Sequence, residues 1–154
     1  MKKPHCYEYP RPALTADIIV IGREKRPRVL LIRRKHLPFA GEWALPGGFV
    51  DEGETLIETA RRELHEETGV QLTRLKQLSA YGDPGRDPRG WTVSVAFITF
   101  VDPKRVHPIA GDDAAEVGWH PLDRLPLLAF DHRKILVDAR RYLKRLDEGA
   151  RGGH

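Results

Sequence analysis

The segment from Thr55 to Gly69, TLIETARRELHEETG, constrains the fold most, because both ends of a helix can be read from it. Thr55 followed three residues later by Glu58 is a capping box, in which each side chain accepts a hydrogen bond from the backbone N–H of the other residue. Gly69 supplies the left-handed stop that ends many helices. The apolar residues between these ends recur at helical spacing: Leu56, Ile57, Ala60 and Leu64. The segment therefore predicts a helix over about 56–68 that packs one side on a core.

Three carboxylates lie beside this apolar stripe. Glu63, Glu66 and Glu67 cover an arc of about 100° on the helix, and like charges at these spacings repel by a few tenths of a kcal/mol per pair. Such a cluster is either solvated, as on an ordinary charged surface helix, or it holds a cation. The turn Leu45-Pro46-Gly47-Gly48 favours the cation, because glycines let backbone carbonyls approach an ion and Mg²⁺ prefers oxygen ligands.

Residues 48–70, GFVDEGETLIETARRELHEETGV, match the pattern G-x5-E-x7-R-E-U-x-E-E-x-G-U at every defined position, where U is aliphatic. This pattern is the Nudix box, so the chain resembles the Nudix hydrolase superfamily. The resemblance implies that Glu63, Glu66 and Glu67, often with the carbonyl of Gly48, bind Mg²⁺ or Mn²⁺.

The same resemblance implies hydrolysis of the pyrophosphate of a nucleoside diphosphate derivative, in which metal ions bridge phosphate oxygens and activate water. It also implies a buried pair between Arg62 and Glu54 that orients the metal-binding glutamates. No covalent nucleophile is needed, and the sequence contains neither a G-x-S-x-G elbow nor a Walker-type phosphate loop.

The sequence constrains the identity of the general base less than the identity of the metal ligands. Some Nudix enzymes use a box glutamate, such as Glu66 here, and others use an acidic residue from a later loop. Asp112, Asp113 and Glu116 are the later candidates. Glu116 is favoured because it precedes the extended segment VGW, although it could equally be an acid in a surface turn. The predicted catalytic residues are Glu54, Arg62, Glu63, Glu66 and Glu116.

The loop GDPGRDPRG (82–90) predicts substrate contacts. Arg86 and Arg89 carry guanidinium groups suited to phosphate, and Asp87 could accept hydrogen bonds from ribose hydroxyls. The alternative is a rigid connector whose arginines pair with Asp83 and Asp87. Two aromatic residues near the glycine turn, Phe39 and Trp43, could stack on adenine, although a tryptophan is more often part of a core.

The run R-D-P-R-G leading into a V-S-V strand resembles the ADP-ribose pyrophosphatases, as does Pro84, fifteen residues after Gly69. The resemblance implies hydrolysis of ADP-ribose to AMP and ribose 5-phosphate. The alternatives are oxidised or other nucleoside triphosphates, dinucleoside polyphosphates, nucleotide sugars, or a non-catalytic ADP-ribose sensor. Sensors of this kind append a winged helix-turn-helix domain, for which no room is expected after residue 147.

The remaining pattern predicts an α/β fold. Strands are expected at 15–24, 28–35, 91–101 and 117–122, an alternating stretch at 71–81, and a second helix at 131–146. Together with the resemblance, this predicts a single-domain Nudix-type α/β/α sandwich with a mixed central sheet over 13–147. Residues 1–12 are expected to be an extension and 148–154 a flexible tail.

Partners and location follow from composition and analogy. The single cysteine, the absence of an apolar leader in the first fourteen residues and the absence of a long apolar run predict a cytoplasmic protein. The net charge of +4 is spread along the chain and suits a small anionic substrate, and neither nucleic acid nor a membrane is expected as a partner. A homodimer is expected by family analogy alone.

Overall fold

A seven-stranded mixed sheet runs through the centre of the molecule, which is described for residues 4–152 by a computed structural model. The strands are β1 (Ala13–Gly22), β2 (Arg28–Arg34), β3 (Trp43–Ala44), β4 (Gly47–Phe49), β5 (Lys76–Tyr81), β6 (Thr92–Val101) and β7 (Ala114–Pro121). The helices are α1 (Leu56–Thr68) and α2 (His132–Arg151), with a 3₁₀ turn at Pro103–Arg105.

The strand β1 lies at the centre of the sheet. It pairs in parallel with β6 along all ten residues, and the other pairings between these seven strands are antiparallel. From Thr15 onward each residue of β1 is buried, because one helix covers each face of the sheet. On one face Ala60 and Leu64 of α1 pack near Ile18, and on the other Ile135 of α2 packs near Ile19. The predicted three-layer sandwich with a mixed sheet is confirmed.

The bounds of α1 agree with the capping and stop signals in the sequence. The Thr55 hydroxyl accepts from the Glu58 N–H at 3.2 Å, and the Glu58 carboxylate accepts from the Thr55 N–H at 2.7 Å. Gly69 ends the helix with φ 69°. The predicted capping box and left-handed stop are both present, and the helix has the predicted bounds.

Two predicted boundaries need correction at the carboxyl-terminal side. The last strand begins at Ala114 and not at residue 117, so that Glu116 lies within the sheet. The helix α2 continues to Arg151, so residues 148–151 are helical and the predicted flexible tail is wrong there; residues 153–154 lie outside the described part of the chain. Within residues 4–152, no helix combines the length and the apolar composition needed to cross a membrane.

The sheet forks next to the glycine turn. The strands β1 and β2 pair only at Ile21↔Val29 and Gly22↔Arg28. Beyond that point β4 takes the place of β2 along the opening residues of β1, while the end of β2 pairs with β3. The carbonyl of Pro46 accepts from the N–H of Ile18 at 2.8 Å and so fixes the turn in the fork. This opening between two central strands is where the polar cleft forms.

Candidate active site

The glycine turn and the acidic edge of α1 are in direct contact. The N–H of Gly47 donates to Oε2 of Glu67 at 2.9 Å. A Cβ atom at Gly48 would lie 2.4 Å from Oε1 of Glu63, so a side chain at this position would displace the carboxylate. The turn and the helix therefore form one wall of a cleft.

Two of the carboxylates in this wall are substantially desolvated. Burial raises the pKa of Glu67 to about 8, although the hydrogen bond from Gly47 acts in the opposite direction. Burial also raises the pKa of Glu63, even with Arg62 beside it. A desolvated carboxylate is stabilised by a proton or by a cation, so both groups favour a positively charged ligand.

Arg62 organises the rest of the acidic cluster. Its Nε donates to Oε1 of Glu54 at 2.6 Å and its Nη2 to Oε2 at 3.0 Å, which is the predicted pair in bidentate geometry. This pairing lowers the pKa of Glu54 to about 2. Arg62 also reaches Glu63 at 2.9 Å and Glu66 at 3.2 Å, both through Nη1. One guanidinium group therefore fixes the carboxylate of Glu63 and holds the more exposed Glu66 beside it.

The donor set of this wall fits a hard divalent cation. Glu63 and Glu67 border the same cleft as Gly48, and carboxylate and carbonyl oxygens are the ligands that Mg²⁺ and Mn²⁺ prefer. The side chain of Glu66 is 56% exposed and turned toward Arg62, so it would have to leave that partner to join the other two. Among residues 4–152, no three acidic, histidine or cysteine side chains already converge on one point.

The opposite wall of the cleft is basic and aromatic. Arg34 at the end of β2, Arg89 in the loop 82–90 and Phe130 just before α2 line the space that faces Gly47 and Glu67. The cleft thus has an acidic wall and a basic wall that line the same space, an arrangement suited to a metal ion bound together with phosphate groups.

Ion pairs hold the charged side chains of the loop 82–90 in place. The side chain of Arg86 is only 4% exposed and makes two hydrogen bonds to Asp131, at 2.6 and 2.9 Å. Asp87 is buried and accepts from Nη2 of Arg89 at 2.8 Å and from its backbone N–H at 2.9 Å. Burial alone would raise the pKa of Asp87, but these hydrogen bonds lower it.

These contacts correct the sequence-based interpretation of the loop. Arg86 and Asp87 line the cleft but are engaged in structural pairs, so their predicted contacts to phosphate and ribose stay predictions. The rigid-connector alternative is correct for the Arg89–Asp87 pair but not for Asp83, which pairs with Lys134 at 2.7 Å. Of the three predicted contacts, Arg89 alone combines a place in the cleft with a partly exposed side chain.

The two predicted adenine-stacking residues do not line the cleft. Trp43 packs edge-on against His120 with 4.3 Å between ring centroids and against the core on the α2 face. Phe39 packs edge-on against Phe130 with 4.8 Å between centroids. Both are corrected to packing residues, and Phe39 supports an aromatic ring that does border the cleft.

Glu116, which is predicted to be the general base, has a cationic partner in the structure. It lies within β7, where its exposed carboxylate pairs with Arg33 at 3.2 Å. Asp112 and Asp113, in the loop before β7, border the same cleft opening as Glu63, Glu66 and Glu67. The geometry therefore favours these two aspartates over Glu116.

Sequence reasoning missed a buried polar pair behind the glycine turn. Asp17 of β1 accepts a short hydrogen bond from Ser94 and lies 3.4 Å from Nε2 of His132. Nδ1 of His132 accepts from the N–H of Leu45 at 3.0 Å, which places the ring proton on Nε2 toward Asp17. Burial acts to raise the pKa of Asp17, but His132 and Ser94 hold it below its ordinary value. An aspartate inside the apolar run ADIIVIG was the available signal.

Comparison with known proteins identifies the scaffold. A sequence profile of the NUDIX domain matches residues 11–139. The ADP-ribose pyrophosphatase of Methanocaldococcus jannaschii is 46% identical over 134 residues, which cover 87% of this chain and 76% of that protein. The ADPR-responsive transcriptional repressor NtrR of Acinetobacter baylyi is 37% identical over 86% of this chain, which spans about half (54%) of the repressor.

Solved structures give the same result. The NUDIX domain of Shewanella oneidensis NrtR, crystallised with ADP ribose, superimposes with a TM-score of 0.80 at 35% identity, covering 88% of this chain and 90% of that one. A MutT/nudix family protein from Enterococcus faecalis also gives 0.80, at 37% identity, covering 92% of this chain and 66% of that one.

Proposed function

The chain belongs to the Nudix family, and we propose that it hydrolyses the pyrophosphate of ADP-ribose to give AMP and ribose 5-phosphate in the presence of Mg²⁺ or Mn²⁺. The observation that carries this proposal is the two-walled cleft, in which desolvated carboxylates of α1 face Arg34 and Arg89. The choice of ADP-ribose is supported by the 46% identity to an ADP-ribose pyrophosphatase.

In this proposal Glu63, Glu66 and Glu67, with the carbonyl of Gly48, hold the divalent cation. When bound, the cation supplies charge neutralisation at the pyrophosphate and lowers the pKa of water. Arg62, itself held by Glu54, keeps Glu63 in position for this role.

The basic wall binds the substrate. Arg34 and Arg89 present guanidinium groups to the phosphate oxygens, where charge-assisted hydrogen bonds are strongest. Asp113 or Asp112 accepts the proton of the attacking water, because both border the opening of the cleft next to the glutamates. The Asp112→Asn, Asp113→Asn and Glu116→Gln variants, compared by kcat and its pH profile, identify the base: we expect the largest loss for one of the aspartates.

The substrate is tested by direct hydrolysis. The protein is incubated separately with ADP-ribose, 8-oxo-dGTP and diadenosine polyphosphates plus Mg²⁺, and products are separated by anion exchange. We expect AMP and ribose 5-phosphate from ADP-ribose and no reaction in EDTA. Cleavage of another substrate while ADP-ribose survives overturns the substrate assignment but leaves a Nudix hydrolase.

A non-catalytic ADP-ribose-binding role is the second candidate, because a transcriptional repressor is 37% identical to this chain. The intact acidic cluster favours catalysis over this role. Binding of ADP-ribose by calorimetry with no hydrolysis of any substrate would establish the sensor instead. The homodimer and the cytoplasmic location expected from the sequence stay predictions.

A further inference from the structure

Four side chains form an alternating aromatic and cationic stack along the basic wall. The guanidinium carbon of Arg89 lies 4.7 Å from the ring centroid of Phe49 and 5.3 Å from that of Phe130. The guanidinium carbon of Arg34 lies 4.9 Å from the centroid of Phe130. The four residues come from β2, β4, the loop 82–90 and the segment before α2, so the stack joins separate parts of the fold at the cleft.

Phe130 is the member shared by both cations. Arg34 and Arg89 have like charges, and each lies within cation–π distance of this one ring. Arg89 has a carboxylate partner in Asp87, whereas Nε of Arg34 donates to the neutral carbonyl of Pro38 at 2.8 Å. The arrangement therefore concentrates positive charge that its own hydrogen bonds do not fully offset.

The backbone and the neighbours of Phe130 hold the ring in place. Its φ of 51° lies in the left-handed region, which is strained for a bulky residue and persists only where the surroundings impose it. Phe39 packs edge-on against the ring. The next two residues are also held in place, because Arg86 pairs with Asp131 and the glycine turn donates a hydrogen bond to His132. The ring is thus a rigid support and not a mobile side chain.

We propose that Phe130 is a positioning residue that spaces the guanidinium groups of Arg34 and Arg89 to bind phosphate oxygens from the side opposite the metal-binding glutamates. This inference rests on the proposed function, because it assigns the two arginines to the pyrophosphate of the substrate. The ring holds the guanidinium planes before substrate arrives, so less conformational freedom is lost on binding. Phosphate charge is present in both the bound substrate and the transition state, so the effect falls on KM more than on kcat.

The test compares Phe130→Leu with a matched control, Phe100→Leu. Phe100 also carries a guanidinium group, that of Arg23 at 5.0 Å, and its stacked partner is Tyr142; neither ring lines the cleft. We expect Phe130→Leu to raise KM for ADP-ribose about tenfold and to change kcat less than about threefold. Phe100→Leu should leave both constants near those of the unmodified protein.

Two further variants keep the inference testable if Phe130→Leu fails to fold. Phe130→Tyr retains the ring and should retain KM, whereas Arg34→Lys retains the charge but loses the planar stacking group and should raise KM. If Phe130→Leu does fold, it should raise KM by a smaller factor in an Arg34→Met background than it does alone, because the two residues act as a unit.

Binding of inorganic pyrophosphate by calorimetry in EDTA separates this inference from the proposed function, because it requires no hydrolysis. Weaker binding by Phe130→Leu but not by Phe100→Leu supports the positioning role even if ADP-ribose is not the substrate. Unchanged pyrophosphate affinity in Phe130→Leu overturns it, and so does a fall in kcat at constant KM. Equal losses in the two leucine variants also overturn it, because they would indicate a general effect on stability.

Discussion

Replacing Glu67 with glutamine should stabilise the protein when no divalent cation is present. Burial raises the pKa of Glu67 from its ordinary 4.5 to about 8. At pH 7 this carboxylate is ionised in the unfolded chain, whereas folding forces it to take up a proton. Because pH 7 lies about 2.5 units above the unfolded-state pKa, this protonation costs about 3 kcal/mol. Glutamine is uncharged, and its carbonyl oxygen can still accept the hydrogen bond from Gly47. Allowing for water in the cleft, we expect a gain of about 2 kcal/mol in the free energy of unfolding.

The sign of the effect gives it a characteristic pH dependence. Because the folded-state pKa of this acid is raised, the destabilisation is absent below pH 4.5, grows as pH rises, and levels off above pH 8. Urea unfolding of both proteins in EDTA at pH 5, 7 and 8.5 measures it directly. At pH 7 the gain corresponds to a rise of roughly 4–8 °C in Tm for a chain of this size.

Divalent cation should reverse the order of stability. Adding Mn²⁺ or Mg²⁺ stabilises the unmodified protein by mass action, whereas Glu67→Gln has lost a charged ligand and should respond weakly. Glu66→Gln is the control, since its side chain is 56% exposed and its loss should change the stability in EDTA by less than about 0.5 kcal/mol. A Glu67→Gln protein that is less stable than the unmodified one, or whose difference does not change with pH, refutes the reasoning.

Three other variants test the support around the cluster. Arg62 lowers the pKa of Glu54 to about 2. The stabilising contribution of this carboxylate is therefore present above pH 4.5 and is lost as pH falls from 4.5 to 2. Glu54→Gln should remove this loss of stability at acid pH, as measured by urea midpoints from about pH 2 to 6. His132→Ala removes the buried acceptor for a backbone N–H of the glycine turn and should cost about 2 kcal/mol in urea unfolding and lower kcat, whereas an unchanged midpoint contradicts the role. Gly48→Ala places a Cβ within 2.4 Å of the Glu63 carboxylate and should abolish thermal stabilisation by Mn²⁺; a normal metal response would remove the assignment.

Local sequence determined the elements whose signals lie close together in the chain. The helix α1 was predicted with its observed bounds because its cap, stripe and stop all fall between Thr55 and Gly69. The strands β3 and β4, of two and three residues, are too short to show periodicity and form only because β1 and β2 diverge. The fork of the sheet depends on pairings between distant segments, so no window of sequence could predict it.

In the candidate site, too, contacts within one local motif were predictable and contacts between distant segments were not. The contact between Arg62 and Glu54 lies within one local motif and was predicted correctly. The partner of Arg86 is 45 residues away on α2, and composition could not distinguish this arginine from one that is free to bind phosphate. The ion pair between Glu116 and Arg33 could not be predicted, because it depends on the register between β7 and β2.

The two walls of the cleft are complementary in charge, yet the fold prevents them from neutralising each other. Arg34 is held by the carbonyl of Pro38 and by Phe130, and Arg89 is held by Asp87, so neither forms an ion pair with Glu67 in the structure. A metal ion at the acidic wall and a pyrophosphate at the basic wall would satisfy both sets of charges and attract each other. Because such coupling is reciprocal, each ligand should increase the affinity for the other, and the site has its highest affinity for the two together.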